Sequence, residues 1–237
     1  MVMTMNVAML YSGGKDSNLA LYRLAKEGHT IVALLSAVSK RDDSWMFHVP
    51  NVELCSIQAD CLGIPWERIE VSGVKEDEVS ELYSALSRLI GKLKIDAVGS
   101  GAIASNYQRE RVAKTCSQLG LAALSPLWGM DERSMLWEML SLSFEIYFTS
   151  VSAEGFGRNW LGRRLDDSTI GSLLKLNALY GINVSGEGGE YETFVADMPL
   201  FSKRIRILDS ESKWVRNSGT WVIKKVELSE KAPQPIK

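Results

Sequence analysis

One short run near the start of the chain combines the residue types that bind a phosphate: Tyr11-Ser12-Gly13-Gly14-Lys15-Asp16-Ser17. Two glycines leave the backbone bare, so the amides of Gly13 through Asp16 can converge on an anion. Lys15 adds a point charge, and the hydroxyls of Ser12 and Ser17 can donate to it. A helix beginning here would add the positive end of its dipole. The ligand implied is phosphate or pyrophosphate, and Asp16 could hold an accompanying divalent cation. The run is too short for G-x-x-x-x-G-K-[ST], and Asp16 stands where that loop needs Ser or Thr. A plain glycine turn, with a surface lysine and Asp16 as a cap, is the structural alternative.

A second constellation is acidic. Gly186-Glu187-Gly188-Gly189-Glu190-Tyr191-Glu192-Thr193 carries three carboxylates with no lysine or arginine close by in sequence. An extended backbone through Glu190 and Glu192 would put both on one face and attract cations; an ordinary solvated turn is the alternative. Tyr107 and Arg111, four apart, share a helical face, where the guanidinium could fork onto a carboxylate or phosphate, or simply meet solvent. Gly99-Ser100-Gly101-Ala102-Ile103-Ala104 matches the dinucleotide fingerprint in form, but the ribose-binding acid that should follow is missing. Its glycines are read as letting backbone approach a nucleotide. The only histidines are His29, beside the Gly28 turn, and His48, for which substrate contact and a structural role both stand. A Ser-His-Asp triad would have to use one of these two, and the absence of a G-x-S-x-G elbow argues against it.

With 237 residues, 46% hydrophobic and 24% charged, the chain suits one large or two modest globular domains. Lys plus Arg number 27 against 29 Asp plus Glu, a net −2, which argues against nucleic acid as a partner except through a local contact. Cys55, Cys61 and Cys116 form no C-x-x-C pair, so they read as semi-buried thiols instead of zinc or iron–sulfur ligands. No apolar stretch nears the roughly 20 residues that span a bilayer, so no membrane partner is expected. The apolar N-terminal run lacks a basic flank and breaks at Ser12, unlike a signal peptide. A cytoplasmic location follows, and the Asn183-Val184-Ser185 sequon then carries no meaning.

Hydrophobic period supplies the frame for these residues. Residues 6–11 read as a buried strand. Ala20, Leu21, Leu24 and Ala25 then share a helix face, with Asn18, Arg23, Lys26 and Glu27 away from it and Gly28 as the stop. Strands over 30–36, 66–71 and 95–99 alternate with helices over 51–62, 75–93 and 107–119, which predicts a doubly wound parallel sheet covered on both faces. In such a sheet the loop at 12–17, the strand end at Ser36 and the loop at 99–105 lie beyond the carboxyl ends of the strands, where ligands bind. Past residue 130 the rhythm changes. Helices over 132–141 and 168–180 flank a strand over 143–151. Antiparallel strands over 203–208, 212–216 and 220–228 follow, with turns at Asp209-Ser210 and Asn217-Ser218-Gly219. We therefore expect a nucleotide-binding α/β domain over 1–130, a smaller α+β substrate domain over 131–229, and a flexible tail over 230–237. Trp45, Trp128, Trp160 and Trp214 read as core or interface, with Trp160 inside a basic stretch, 158–164, suited to an acidic partner.

The run SGGKDS directly after the first strand resembles the PP-loop of the N-type ATP pyrophosphatases. Met46-Phe47-His48, Gly101-Ala102-Ile103-Ala104-Ser105, Tyr107-Gln108-Arg109-Glu110-Arg111-Val112, Pro126-Leu127-Trp128 and the 186–193 segment together resemble the signatures of the diphthine–ammonia ligase family. The likeness runs over most of the chain. It implies a HUP-type fold that binds ATP and Mg2+, passes AMP to a substrate oxygen and releases pyrophosphate. It further implies an acceptor, diphthine on translation elongation factor 2, whose carboxylate is amidated with ammonium to give diphthamide. By resemblance, ATP is held by Tyr11, Ser12, Gly13, Gly14, Lys15, Asp16, Ser17, Ser36, Gly99, Gly101 and Ile103, with Asp16 also on the metal. His48, Ser105, Tyr107, Gln108, Arg111, Gly188, Gly189, Glu190 and Tyr191 are assigned to substrate, and Lys15, Asp16, Glu187, Glu190 and Glu192 to catalysis. The acidic loop, with Tyr191, would receive ammonium or the trimethylammonium of diphthine. One position departs: Asn106 stands where an acid commonly follows the serine of the 101–105 segment. A homodimer is one arrangement the sequence allows. Rival readings are the same chemistry on another small carboxylate, a PP-loop tRNA-modifying enzyme and a non-catalytic nucleotide sensor.

Overall fold

The structure, a computed structural model, describes residues 3–39, 51–72 and 78–231, without the side chains of Ser39, Glu78 and Gln108. Trp45 and His48, with the rest of 40–50, lie outside the described residues, as do 73–77 and 232–237. The chain divides into two units, Met1–Ala59 with Ile64–Gly129, and Asp60–Gly63 with Met130–Lys237.

In the first unit, β1 (Asn6–Leu10), β2 (Thr30–Ser39), β3 (Trp66–Val71), β4 (Ala97–Gly99) and β5 (Ala122–Leu124) form a parallel sheet in the order β3-β2-β1-β4-β5. Between them run α1 (Lys15–Lys26), α2 (Cys55–Leu62), α3 (Glu78–Leu93) and α4 (Asn106–Gln118). Val7, Ala8 and Met9 are all fully buried because both faces of β1 are covered. On one face Ala8, Leu35, Ile69 and Val98 join a core with Leu86 and Leu89 of α3 and Cys116 of α4. On the other, Leu24 of α1 packs close to Val7, Met9 and the Gly99 backbone. The order reverses at β1 and β4, so the loops leaving these two strands flank the switch point of the sheet, the ligand crevice of such folds.

Three local readings shift. β2 runs to Ser39 because Ala37, Val38 and Ser39 pair with Ile69, Glu70 and Val71. β5, three residues long, is too short to show a period. Asn18, placed by period away from the apolar face of α1, is fully buried.

The second unit holds α5 (Glu132–Ser141), β6 (Glu145–Val151), α6 (Asp167–Tyr180), β7 (Tyr191–Asp197), β8 (Arg204–Val215) and β9 (Ser218–Ser229). Its sheet is antiparallel, in the order β7-β6-β9-β8. Asp131 caps α5 by accepting from Ser134 N at 2.8 Å, and Asp166 caps α6 by accepting from Thr169 N at 2.7 Å. The hydrogen bonds from Ser134 and Thr169 hold both carboxyls below their ordinary range. The expected turn at Asp209-Ser210 is a bulge inside the single twelve-residue strand β8, since pairing with β9 continues on both sides of it. The chain reverses instead at Arg216-Asn217, with Arg216 at φ 54. Trp160, 4% exposed, packs edge-on to Phe148 and Phe156, so it belongs to the core while Arg163 lies over its ring. Lys231, placed in the expected tail, pairs with Asp197 at 2.7 Å and donates to Met198 O. Among the described residues no helix is long and apolar enough to cross a membrane.

Candidate functional site

The glycine loop turns directly from β1 into α1. Gly13 sits at φ +76, a left-handed conformation that suits glycine, and Gly14 is the N-cap. Gly14 brings no side chain to the first-turn amides, and a helix terminus of this kind can seat an anion. Its shape is fixed from behind. Tyr11 Oη donates to Asn18 Oδ1 at 2.8 Å, and Asn18 Nδ2 donates to Gly14 O at 2.9 Å. Ser36 Oγ donates to Tyr11 O at 2.6 Å and accepts from Trp66 Nε1 at 2.8 Å. The Ser36 side chain is thus a buried brace of the loop. Gln58 Nε2 donates to Gly13 O at 3.0 Å. In front, Ser12 is exposed, its hydroxyl 3.3 Å from Ser17 Oγ, and Ser17 Oγ donates to Gly14 O. Lys15 is 3% exposed, its Nζ 2.6 Å from Asp16 Oδ2, and Asp16 keeps 30% of its side chain exposed. Asn18 and Gln58 are the site residues that sequence reasoning missed.

The loop after β4 backs onto the first. A Cβ on Gly101 would lie 2.8 Å from Asp16 C and 2.9 Å from Ser17 N, so glycine here lets two backbones meet. At Gly99 the missing Cβ makes room for the core, since Leu24 Cδ1 and Met9 Sδ would both lie 2.8 Å from it. Ile103 is buried and its carbonyl accepts from Gly129 N at 3.0 Å, tying this loop to the one after β5. Ser105 O accepts from Arg109 N in the first turn of α4. Arg111 stacks on Tyr107, 3.8 Å from the ring centroid, as spacing suggested, and Arg109 stacks on Trp128 at 4.4 Å. The Gln108 side chain lies outside the described residues.

In the second unit the acidic segment forms a tight turn into β7. Gly189 N donates to Gly186 O, and Gly189 O accepts from Ser152 Oγ at 2.6 Å, with Gly188 and Gly189 exposed at the crest. Glu190 turns inward: Oε1 accepts from Asn183 N at 2.7 Å, while Oε2 is buried and accepts no hydrogen bond among the described residues. Glu192 is exposed and Glu187 half-buried. Tyr191 departs from its expected role as a cation receptor. Its ring lies 4.8 Å from that of Phe148 in the core and its hydroxyl donates to Val184 O, so both ends are engaged.

For a magnesium ion, the donor set is one carboxylate. Among the described residues no cluster of three acids, histidines or cysteines exists, yet Mg2+ is commonly held by one or two carboxylates plus substrate phosphates, which Asp16 satisfies. The three cysteines are free and buried. Burial pushes Cys55 up to about 12 and Cys116 to about 11, and raises Cys61 as well. Each shift disfavours the thiolate that persulfide chemistry needs. Replacing all three with alanine is expected to leave turnover near that of the parent enzyme. A loss of turnover in a triple variant with unchanged far-UV circular dichroism would bring thiol chemistry back.

The first unit is of the class of doubly wound α/β folds that bind their ligand at the switch point of a parallel sheet. Two family models match the chain, one described as the diphthamide synthase N-terminal domain over residues 5–123, the other as its C-terminal domain over 131–228. Curated relatives named diphthine–ammonia ligase include that of Rattus norvegicus, 37% identical over 227 residues, covering 88% of this chain and 85% of the relative. That of Danio rerio is 35% identical and covers 88% of each, and that of Homo sapiens is 35% identical and covers 87% of this chain and 84% of the relative. The chain belongs to the diphthamide synthase family, and it is an enzyme of the carbon–nitrogen ligase class. A solved chain described as a predicted subunit of tRNA methyltransferase from Methanocaldococcus jannaschii aligns at a TM-score of 0.43 with 15% identity, over 82% of this chain and 98% of that one. That likeness bears no functional weight.

Proposed function

We propose that this enzyme activates the carboxylate of diphthine on translation elongation factor 2 with ATP and amidates it with ammonia. A carboxylate does not exchange oxide for ammonia at neutral pH, because oxide is a prohibitive leaving group. One carboxylate oxygen attacks the α-phosphorus, the bond to the β-phosphate oxygen breaks, and pyrophosphate departs. Ammonia then attacks the acyl carbon, AMP leaves with the electron pair of the C–O bond, and a base takes the surplus proton from nitrogen. The loop at 12–17 at the switch point of the sheet is the observation that supports this reading: it gathers amides, Lys15 and two hydroxyls in the ligand crevice of such folds, and on this reading charge grows there on the departing pyrophosphate. Asp16 would hold Mg2+, which offsets triphosphate charge. Arg111, stacked on Tyr107, would orient the substrate carboxylate or the α-phosphate.

Glu190 is assigned to the nitrogen side of the reaction. A buried carboxylate oxygen that accepts nothing from the described protein is costly, and an ammonium N–H relieves that cost. Glu190→Gln is expected to form the acyl-adenylate at the parental rate but to amidate it about 10²-fold or more slowly, in line with loss of a general base. Rapid-quench analysis separates the two steps, and parental amidation would remove Glu190 from this role. Glu187 and Glu192 are assigned to drawing in the cation.

The whole reading is tested by measuring pyrophosphate release with ATP, magnesium and ammonium, with and without elongation factor 2 bearing diphthine. Release stimulated by that protein is expected. Stimulation by a different carboxylate alone would replace the acceptor and keep the chemistry, whereas ADP and orthophosphate as products would overturn both.

A further inference from the structure

We propose that Gln58 is a positioning residue that fixes the direction of one amide in the nucleotide loop, a role that rests on the reading that residues 12–17 hold the phosphates of ATP. Gln58 projects from α2 and is fully buried. Its Nε2 crosses 45 residues of sequence to donate to Gly13 O at 3.0 Å. Its Oε1 would lie 2.5 Å from a Cβ on Gly13, so the side chain fills the space behind the left-handed turn.

The peptide that joins Gly13 to Gly14 carries the Gly13 carbonyl and the Gly14 N–H, which point in opposite directions in a trans unit. With glycine on both sides it is the peptide of this loop that side chains restrain least. Rotated by half a turn, it would present a carbonyl oxygen where an anion needs an N–H. Gln58 opposes that rotation by holding the carbonyl on the buried side, which keeps the Gly14 N–H on the opposite side, where it donates a long hydrogen bond to Ser12 Oγ at 3.4 Å that an anion would replace. Tyr11, Asn18 and Ser36 brace the peptides on either side.

The test uses the full chain and calorimetric titration with ATP, pyrophosphate and adenosine. Gln58→Met keeps the volume and removes the donor. We expect affinity for ATP and pyrophosphate to fall about tenfold, the scale of one buried hydrogen bond, with adenosine binding unchanged. Gln58→Leu, which also lacks a donor, is expected to behave alike and serves if the methionine variant fails to fold. Unchanged ATP and pyrophosphate affinity in both variants, or an equal loss for adenosine, would overturn the assignment alone. A parent enzyme that binds adenosine as tightly as ATP would overturn the phosphate reading and this assignment with it.

Discussion

Lys15→Ala is expected to lower the turnover for pyrophosphate release by about 10²- to 10³-fold, the loss typical of one fixed donor aimed at developing charge. The ammonium is not a mobile surface group. It is 3% exposed and held 2.6 Å from Asp16 at the start of α1, so it need not be reorganised as the reaction proceeds. Negative charge accumulates on the leaving group more in the transition state than in bound ATP, so the deficit should appear in kcat as well as in kcat/KM. Steady-state pyrophosphate release is the measurement, with circular dichroism to show that the variant is folded. Near-normal turnover would separate Lys15 from the leaving group. A rise in KM alone would make it a uniform binding contact.

Gly101→Ala is expected to weaken nucleotide binding and to cost stability too. An added Cβ would stand 2.8 Å from Asp16 C, 2.9 Å from Ser17 N and 3.0 Å from Asp16 O. All three are backbone atoms of the first turn of α1, so no side chain can swing clear. Overpacking of this kind costs about 1–3 kcal/mol. On the proposed reading the displaced turn is the one whose amides meet the phosphates, so ATP affinity should fall about tenfold or more. Gly91→Ala is the matched control, in α3 with nothing within 4 Å of the new methyl, and should be neutral or slightly stabilising. Thermal unfolding and ATP titration of the two variants decide the matter: equal behaviour would show that the contact between the loops carries no load.

Much of this frame is legible in the sequence because strand–helix alternation and glycine punctuation are local signals. The stripe of Leu82, Leu86, Leu89 and Leu93 and the break at Ser12-Gly13-Gly14 need no tertiary information. What escapes is set by partners far along the chain. Asn18 falls on the polar side by helical period, yet it is buried, because Tyr11 Oη and Gly14 O satisfy its amide. Gln58 gives no sign in its own helix of a bond to Gly13. Asp209-Ser210 has the composition of a turn, but cross-strand pairing to β9 outweighs local preference and makes it a bulge. Tyr191 sits among glutamates in sequence, while strand alternation sends it to the core, opposite to exposed Glu192.

The bracing of the glycine loop has an energetic corollary. Tyr11, Asn18, Ser36, Gln58 and Trp66 impose its curvature through protein hydrogen bonds that exist before any ligand arrives. Entropy lost in rigidifying a flexible binding segment ordinarily detracts from affinity, at roughly 0.5–1.5 kcal/mol per immobilised side chain. Here that loss falls on polypeptide folding, so on the proposed reading a triphosphate would meet a loop whose curvature is already set.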